Sequence, residues 1–382
     1  MAAAPRKILI VAGEPSGDQH AARLVRDLRA ARSDVELFGI GGDALRAAGV
    51  RTVVDAREMA VMGFFEVLAR YPFFRRVFRQ MVRMLDTERP AAVVLVDYPG
   101  FNLRLAAQAH VRGIPVYYYV SPMVWAWHKS RIPKMVQTLD LLMVIFPFEV
   151  DVFRGTGLKT VFVGHPLVES IRRTLAEPTP TLPWPSGAQR VGILPGSRRQ
   201  EIARVLPAML AAARELRRRN PELSFLIPAA SDEIRAQVEA QLAARPAEEQ
   251  VAIGVVSGQM REVARQARAA LVCSGTATVE TALLKCPMIV VYRMGPSTYW
   301  LGRLLIQVKW IGMVNLILGR TLCPEFIQGA ARPHAMADAL EPLIADTPAR
   351  QAQLAGMEEI AAALAGGGPV KSAGQLVAEA LG

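Results

Sequence analysis

Three strand-to-helix turns in this chain carry residue types that can handle phosphate. The first is Ala12-Gly13-Glu14-Pro15-Ser16-Gly17-Asp18, between an apolar run and a helical pattern. Glycine lets the backbone turn tightly, and a helix start offers free N–H groups at its positive end. The spacing is not GxGxxG, which disfavours a nicotinamide or flavin dinucleotide. The same residues would also make a plain turn with Ser16 or Asp18 as the helix cap. The second turn, Leu194-Pro195-Gly196-Ser197-Arg198, pairs a Gly-Ser bend with a guanidinium fork suited to a diphosphate. The third runs from Cys273 to Glu280, where Ser274, Gly275 and Thr276 either cap a helix or meet phosphate. Glu280, about one turn further on, suits ribose hydroxyls. Two such turns at the carboxyl ends of parallel strands converge on one crevice, which favours a nucleotide diphosphate over capping alone.

Asp97, in Val96-Asp97-Tyr98-Pro99-Gly100-Phe101-Asn102, ends a buried strand. There it serves either as a general base or as the cap of a helix starting near Phe101. His165 in Gly164-His165-Pro166 also ends a strand, a position more often structural than catalytic. The stretch Met59–Leu85 mixes Phe64, Phe65, Tyr71, Phe73, Phe74 and Phe78 with Arg70, Arg75, Arg76, Arg79 and Arg83. Such a segment either lies in a membrane interface, arginines on lipid phosphates, or packs on its own core as an ordinary helix. Nucleic acid is disfavoured, because aromatic readers of RNA sit on strands and these do not.

The elements that must position these residues follow a regular rhythm. Ile8–Ala12, Val93–Val96, Val116–Val120, Leu141–Phe146 and Val161–Val163 are near-continuously apolar, the mark of parallel strands covered on both faces. Leu24, Val25, Leu28 and Ala31 repeat at helical spacing between the first two. The pattern lapses over 171–190, which carries Pro178, Pro180, Pro183 and Pro185, and restarts at Arg190–Leu194. Two Rossmann-like α/β domains, 1–170 and 190–359, joined by a proline-rich hinge and facing a cleft, are therefore expected.

Composition narrows the setting. The chain has 382 residues, 52% of them hydrophobic, enough for two packed cores. Its net charge of +11 suggests an anionic partner without saying which. Cys273, Cys286 and Cys323 are widely spaced, so neither a disulfide framework nor a zinc site is expected, and a reducing compartment fits. Met1–Arg6 runs straight into a strand, so no secretory leader is expected, and no apolar run is long enough to span a bilayer.

Ten segments in order resemble the lipid-A-disaccharide synthase family: AGEPSGD (12–18), GFFEVL (63–68), DYPGFN (97–102), YVSPMVWAW (119–127), FPFE (146–149), VGHPL (163–167), LPGSR with Glu201 and Ile202 following, SGTATVE (274–280), KCPMIVVYR (285–293) and PEFIQ (324–328). The resemblance implies a GT-B fold whose C-terminal domain holds the donor. It implies a tail, about 360–382, returning to the N-terminal acceptor domain. It also implies an inverting, metal-independent transfer with no cofactor. The donor would be UDP-2,3-diacylglucosamine, the acceptor 2,3-diacylglucosamine 1-phosphate, and the product β-1,6-linked. The setting would be lipid A synthesis in a Gram-negative cell, with the enzyme peripheral on the cytoplasmic face of the inner membrane. Carried over by position, Asp97 matches the essential aspartate and Arg198 the arginine that neutralises the leaving diphosphate. Gly196, Ser197, Ser274, Gly275, Thr276 and Glu280 would hold UDP, with Asn315 and Gln328 as further contacts. Val314 stands where the family usually has a proline before that asparagine. Gly13, Glu14, Ser16, Gly17 and Asp18 form the acceptor-side loop. Phe64, Phe65, Phe73, Phe74, Arg75, Arg76 and Phe78 would meet the membrane. Gly100 replaces a second acid found in some relatives, leaving Asp97 the sole carboxylate of its motif. Rival readings are another GT-B transferase acting on a lipid-linked peptidoglycan precursor, a UDP-sugar epimerase, which would need no membrane segment, or a basic nucleic-acid-binding protein. Acyl-chain preference and homodimer formation stay open.

Overall fold

A computed structural model describes residues 5–59, 70–185, 187–246, 252–295, 299, 308–366 and 370–382. Phe64 and Phe65, with the rest of the GFFEVL segment, lie outside the described residues. The chain forms two compact units, Met1–Pro166 with Ala365–Gly382, and Leu167–Leu364.

The first unit holds a seven-stranded sheet in the order β3-β2-β1-β4-β5-β6-β7. Its strands are β1 (Arg6–Ala12), β2 (Val35–Gly41), β3 (Arg51–Asp55), β4 (Ala92–Val96), β5 (Val116–Tyr119), β6 (Leu141–Val144) and β7 (Thr160–Phe162), all parallel. The rhythm of apolar runs does not mark β2 and β3. Glu36, Gly39 and Gly41 interrupt the first, and the second is five residues with polar Arg51, Thr52 and Asp55. Gly39 is obligatory, since a Cβ there would lie 2.0 Å from the Ile10 carbonyl oxygen on the neighbouring strand.

Alternation along β1 divides the core. Ile8 and Ile10 face Leu24, Val25 and Leu28 of the Pro15–Ala31 helix, whereas Leu9 and Val11 face Val77, Met81 and Leu85 of the Tyr71–Glu88 helix. The C-terminal helix Ala373–Ala380 completes the first of these layers with Leu376 and Val377. Burying such a side chain stabilises by about 1.5–3 kcal/mol. A capping box between Ser372 and Gln375 starts this helix. Arg32 Nη1 donates to the Gly382 carbonyl (2.8 Å) and Tyr117 to that of Ala380 (3.1 Å), fixing its end.

The second unit holds a six-stranded parallel sheet in the order β10-β9-β8-β11-β12-β13. These are β8 (Gln189–Leu194), β9 (Leu223–Ala229), β10 (Ile253–Ser257), β11 (Ala269–Cys273), β12 (Met288–Tyr292) and β13 (Glu325–Ile327). The proline-rich stretch differs from expectation. It is helical as far as Ala176, with Ile171 buried, and irregular only from Glu177. Its later part is fastened down: Ser224 Oγ donates to the Pro185 carbonyl (2.7 Å) and Trp184 Nε1 to Gln266 (3.1 Å). Among the described residues no helix is long and apolar enough to cross a membrane.

The contact between the Ala373–Ala380 and Pro15–Ala31 helices is tight at Gly374, where a Cβ would come 2.4 Å from the Leu24 carbonyl oxygen. Gly374→Ala should therefore lower the urea midpoint by the equivalent of about 1–3 kcal/mol, as overpacking does. An unchanged midpoint, followed by circular dichroism, would show that the two helices are not in such close contact.

Candidate active site

In the first sheet the strand order reverses where β4 returns beside β1, so the loops after these two strands leave neighbouring ends of the sheet. The β4 loop carries Asp97 and the β1 loop carries Glu14. Asp97 and Tyr98 both adopt left-handed backbone, with φ of 49° and 50°. For residues with a Cβ this costs roughly 1–2 kcal/mol each. The surroundings hold it in place. Asn102 Nδ2 donates to the carbonyls of Val96 (3.2 Å) and Asp97 (2.7 Å), and the Tyr118 hydroxyl donates to the Asp97 carbonyl (2.5 Å). The Tyr98 hydroxyl in turn donates to the Met59 carbonyl (3.0 Å). Gly13 makes room for this arrangement, because a Cβ there would sit 2.6 Å from the Tyr98 ring.

Burial, and next the charge of Glu14, push the Asp97 carboxyl up to about 6. Glu14 is exposed at the start of the Pro15–Ala31 helix and makes no capping hydrogen bond with its side chain. Ser16 is exposed beside it, and Gly17 is buried. Asp18, expected either in the acceptor-side loop or as a helix cap, is buried at 4% exposure and accepts the N–H groups of Gly42 (2.7 Å), Ala44 (2.9 Å) and Leu45 (3.2 Å). It thus caps the Asp43–Ala47 helix, and both oxygens of its carboxylate accept bonds there.

Two further titratable groups sit in this unit. Glu149 is buried, accepts Trp125 Nε1 and the Phe146 N–H (both 3.2 Å), and is pushed up to about 7 by burial. His165, packed on the Phe146 ring at 4.9 Å, is pushed down to about 4 by burial and by His20. The sequence offered FPFE only as a family marker; the isolation of its carboxylate comes from packing.

The second sheet repeats the reversal, with β11 beside β8. A cavity of about 430 Å³ opens between the loops that follow them, lined by Gly196, Ser197, Arg198, Glu201, Gly275, Thr276 and Glu280 among others. Gly196 has φ of +100°, and a Cβ on it would meet Glu201 Oε2 at 2.6 Å. Burial raises the Glu201 carboxyl, and the Arg198 charge counters it. Arg198 and Ser197 are exposed at this rim. The first amides of the Thr276–Leu283 helix have no intrahelical acceptor and lie beside them. Ser274 also lines this cavity; its hydroxyl donates to the Ile311 carbonyl (2.8 Å) and its N–H to that of Val291 (3.2 Å). Guanidinium, helix start and a carboxylate within one cavity are the chemistry that suits a nucleoside diphosphate.

Residues 8–378 match the family model described as lipid-A-disaccharide synthetase. The chain belongs to that family. It is 42% identical over 359 residues to the lipid-A-disaccharide synthase of Anaeromyxobacter sp. (strain K), covering 94% of this chain and 93% of that one. With the synthase of Myxococcus xanthus (strain DK1622) it shares 38% over 388 residues, 99% and 98% of the two chains. Among solved structures, the UDP-GlcNAc 2-epimerase of Neisseria meningitidis bound to UDP-GlcNAc aligns with a TM-score of 0.62 at 12% identity, covering 98% and 99%. The calicheamicin glycosyltransferase aligns with a TM-score of 0.58 at 16% identity, covering 94% of each. These similarities show a shared GT-B fold. The family makes the chain a glycosyltransferase of lipid A biosynthesis.

Several residues assigned by resemblance to the synthase family are engaged within the fold. Asn315 is fully buried and saturated: it donates to Cys323 O and Glu325 Oε1 (both 2.8 Å) and accepts from the amides of Leu322 (2.8 Å) and Cys323 (2.9 Å). It organises the turn before β13, and its side-chain amide has all four hydrogen-bonding positions taken. Gln328 clamps Met294 through both its amide atoms (3.1 Å each) and does not line the cavity. On the Tyr71–Glu88 helix, Phe73, Phe74 and Phe78 pack partly against the core, and Phe78 meets Phe101 edge-on at 5.5 Å. The residues this helix exposes include Tyr71, Arg75, Arg76, Arg79 and Arg83, with Gln80 and Asp86.

The Asp97 carboxyl, raised from 3.8 to about 6, favours folding only in its protonated form. Its stabilisation is complete below the unfolded value and is lost as pH rises through the folded one. Asp97→Asn keeps an oxygen for the Tyr98 N–H and removes the charge. In urea titrations it should exceed wild type in stability at pH 8, with the difference closing at pH 4; equal stability at both values would contradict the burial of this carboxylate.

Proposed function

We propose that this synthase family member moves 2,3-diacylglucosamine from UDP onto the 6-hydroxyl of 2,3-diacylglucosamine 1-phosphate, releasing UDP. The observation that carries the reading is the cavity at the β8–β11 reversal, where Arg198 and the first amides of the Thr276–Leu283 helix stand together. The diphosphate binds there, with Gly196 and Ser197 bending the backbone around it and Gly275 and Thr276 at the helix start. Asp97 takes the proton of the 6-hydroxyl, whose oxygen attacks C1 of the donor sugar. The bond from C1 to the diphosphate oxygen breaks with inversion, and its electron pair leaves on UDP. Charge develops on that oxygen, and the Arg198 guanidinium stabilises it. A base at about 6 is ionised in roughly ten molecules to one at pH 7 yet remains a competent proton acceptor. Glu14 raises the basicity of Asp97 through its charge. The base belongs to one unit and the diphosphate cavity to the other.

The acyl chains of both substrates place the reaction at a lipid surface. We assign docking, on the inner membrane, to the exposed face of the Tyr71–Glu88 helix. Arg75, Arg79 and Arg83 make no ion pair among the described residues there, and an anionic leaflet attracts such a row by about 1 kcal/mol per charge.

Two measurements test these assignments. UDP release from UDP-2,3-diacylglucosamine should depend on the acylated glucosamine 1-phosphate, survive EDTA, and fall by about 100-fold or more in Asp97→Ala and in Arg198→Ala. Wild-type activity should fall on the acid side near pH 6, as Asp97 gains its proton. Absence of turnover with this pair removes the substrate assignment. Separately, the double variant Arg75→Glu, Arg79→Glu should float several-fold less with vesicles containing anionic lipid while keeping wild-type UDP affinity; undiminished flotation removes the docking assignment.

A further inference from the structure

Arg261 belongs to none of the motifs that mark the family, yet it touches the cavity's carboxylate. It sits on the Met260–Gln266 helix and donates to Glu280 Oε1 through both Nε (2.9 Å) and Nη2 (2.8 Å). Its remaining nitrogen, Nη1, donates to Ser170 Oγ (2.7 Å) and Thr174 Oγ1 (3.3 Å) on the Pro166–Ala176 helix. Arg265, four residues on, donates to the carbonyls of Thr174 (3.1 Å) and Glu177 (3.0 Å), holding the end of the same helix. All these residues lie within the second unit.

A glutamate side chain alone has three free torsions and presents either oxygen. Here both guanidinium bonds fall on Oε1, so the carboxylate has one orientation and Oε2 takes no hydrogen bond from the described residues. Glu280 lines the cavity, one helical turn beyond the Thr276 amide that starts the helix. A ligand with its diphosphate at that helix start would bring its neighbouring hydroxyls within reach of an acceptor fixed in this way. Arg261 is itself fixed by its two hydroxyl contacts, so the orientation is imposed from the Pro166–Ala176 helix outward.

We propose that Arg261 is a positioning residue that holds Glu280 Oε2 towards the vicinal 2′- and 3′-hydroxyls of a nucleoside diphosphate, and thereby sets a preference for ribose. This rests on the nucleotide reading of the cavity given above. Arg261 touches no reacting atom; its effect is on which sugar of the nucleotide is accepted.

The test is calorimetric binding of UDP and of 2′,3′-dideoxy-UDP to wild type, Arg261→Lys and Arg261→Ala, with melting curves to check that each is folded. Wild type should prefer UDP by roughly tenfold or more, the size of a hydrogen bond to a charged acceptor. Both variants should lose most of that preference while binding the dideoxy ligand as wild type does. Arg261→Lys should lose less, because lysine keeps the charge but not the fork. Equal weakening of both ligands in the variants would reveal a merely structural residue and overturn the proposal, and so would an intact preference. Wild type that binds UDP without preference would overturn it too, while leaving the nucleotide site standing. Wild type that binds neither ligand would remove both.

Discussion

Parallel strands all end on the same edge of a sheet, and the chain must cross over before it can add the next. The side on which each crossover returns decides which loops become neighbours. In both sheets of this protein the order turns back once, setting β4 against β1 and β11 against β8. Added in simple succession, β1 and β4 would stand three strand spacings apart, roughly 14 Å. The reversal reduces that to one, and Glu14 then raises the Asp97 carboxyl through its charge. The same reversal opens the 430 Å³ cavity between the β8 and β11 loops. The remaining features of both sites refine this juxtaposition.

Local strain marks where refinement was needed. Asp97 follows a fully buried strand and turns through two left-handed residues, a conformation that side chains disfavour. Asn102 and Tyr118 hold it through the Asp97 carbonyl, and the missing side chain of Gly13 leaves room for the Tyr98 ring. At the bend after β8 the second unit uses glycine itself, Gly196, which leaves room for Glu201 beside it. The first solution carries a carboxylate at the bend and the second carries none. That difference fits a proton acceptor on one unit and an anion cradle on the other.

Much of the basic charge has a structural occupation. Arg219 joins Glu215, Asp338 and Glu341, Arg112 joins Asp86, and Arg268 joins Asp346. Exposed pairs of this kind contribute little each. Positive charge without an ion pair among the described residues includes Arg198 on the cavity rim and Arg75, Arg79 and Arg83 of the Tyr71–Glu88 helix. The net charge of +11 is therefore not all at one place: part of it stands at the cavity rim and part along one helix face.

The sequence by itself determined the fold class, the family and most strands, because continuous apolar runs and glycine turns are local properties of the chain. It placed Asp97, Arg198, Gly196 and Thr276 at strand ends correctly for the same reason. It did not show β2 and β3, whose glycines and polar residues break the apolar signal. Tertiary structure alone decided which polar residues are engaged. Asp18, Ser274, Asn315 and Gln328 stand in or near motifs, yet each is occupied by backbone groups of other segments, 24 to 37 residues away for three of them and 8 for Asn315. Arg261 shows the converse: an ordinary arginine in sequence, it gains its role from Glu280, Ser170 and Thr174. Hydrogen-bond saturation and burial are properties of the packed neighbourhood, and no spacing along the chain encodes them directly.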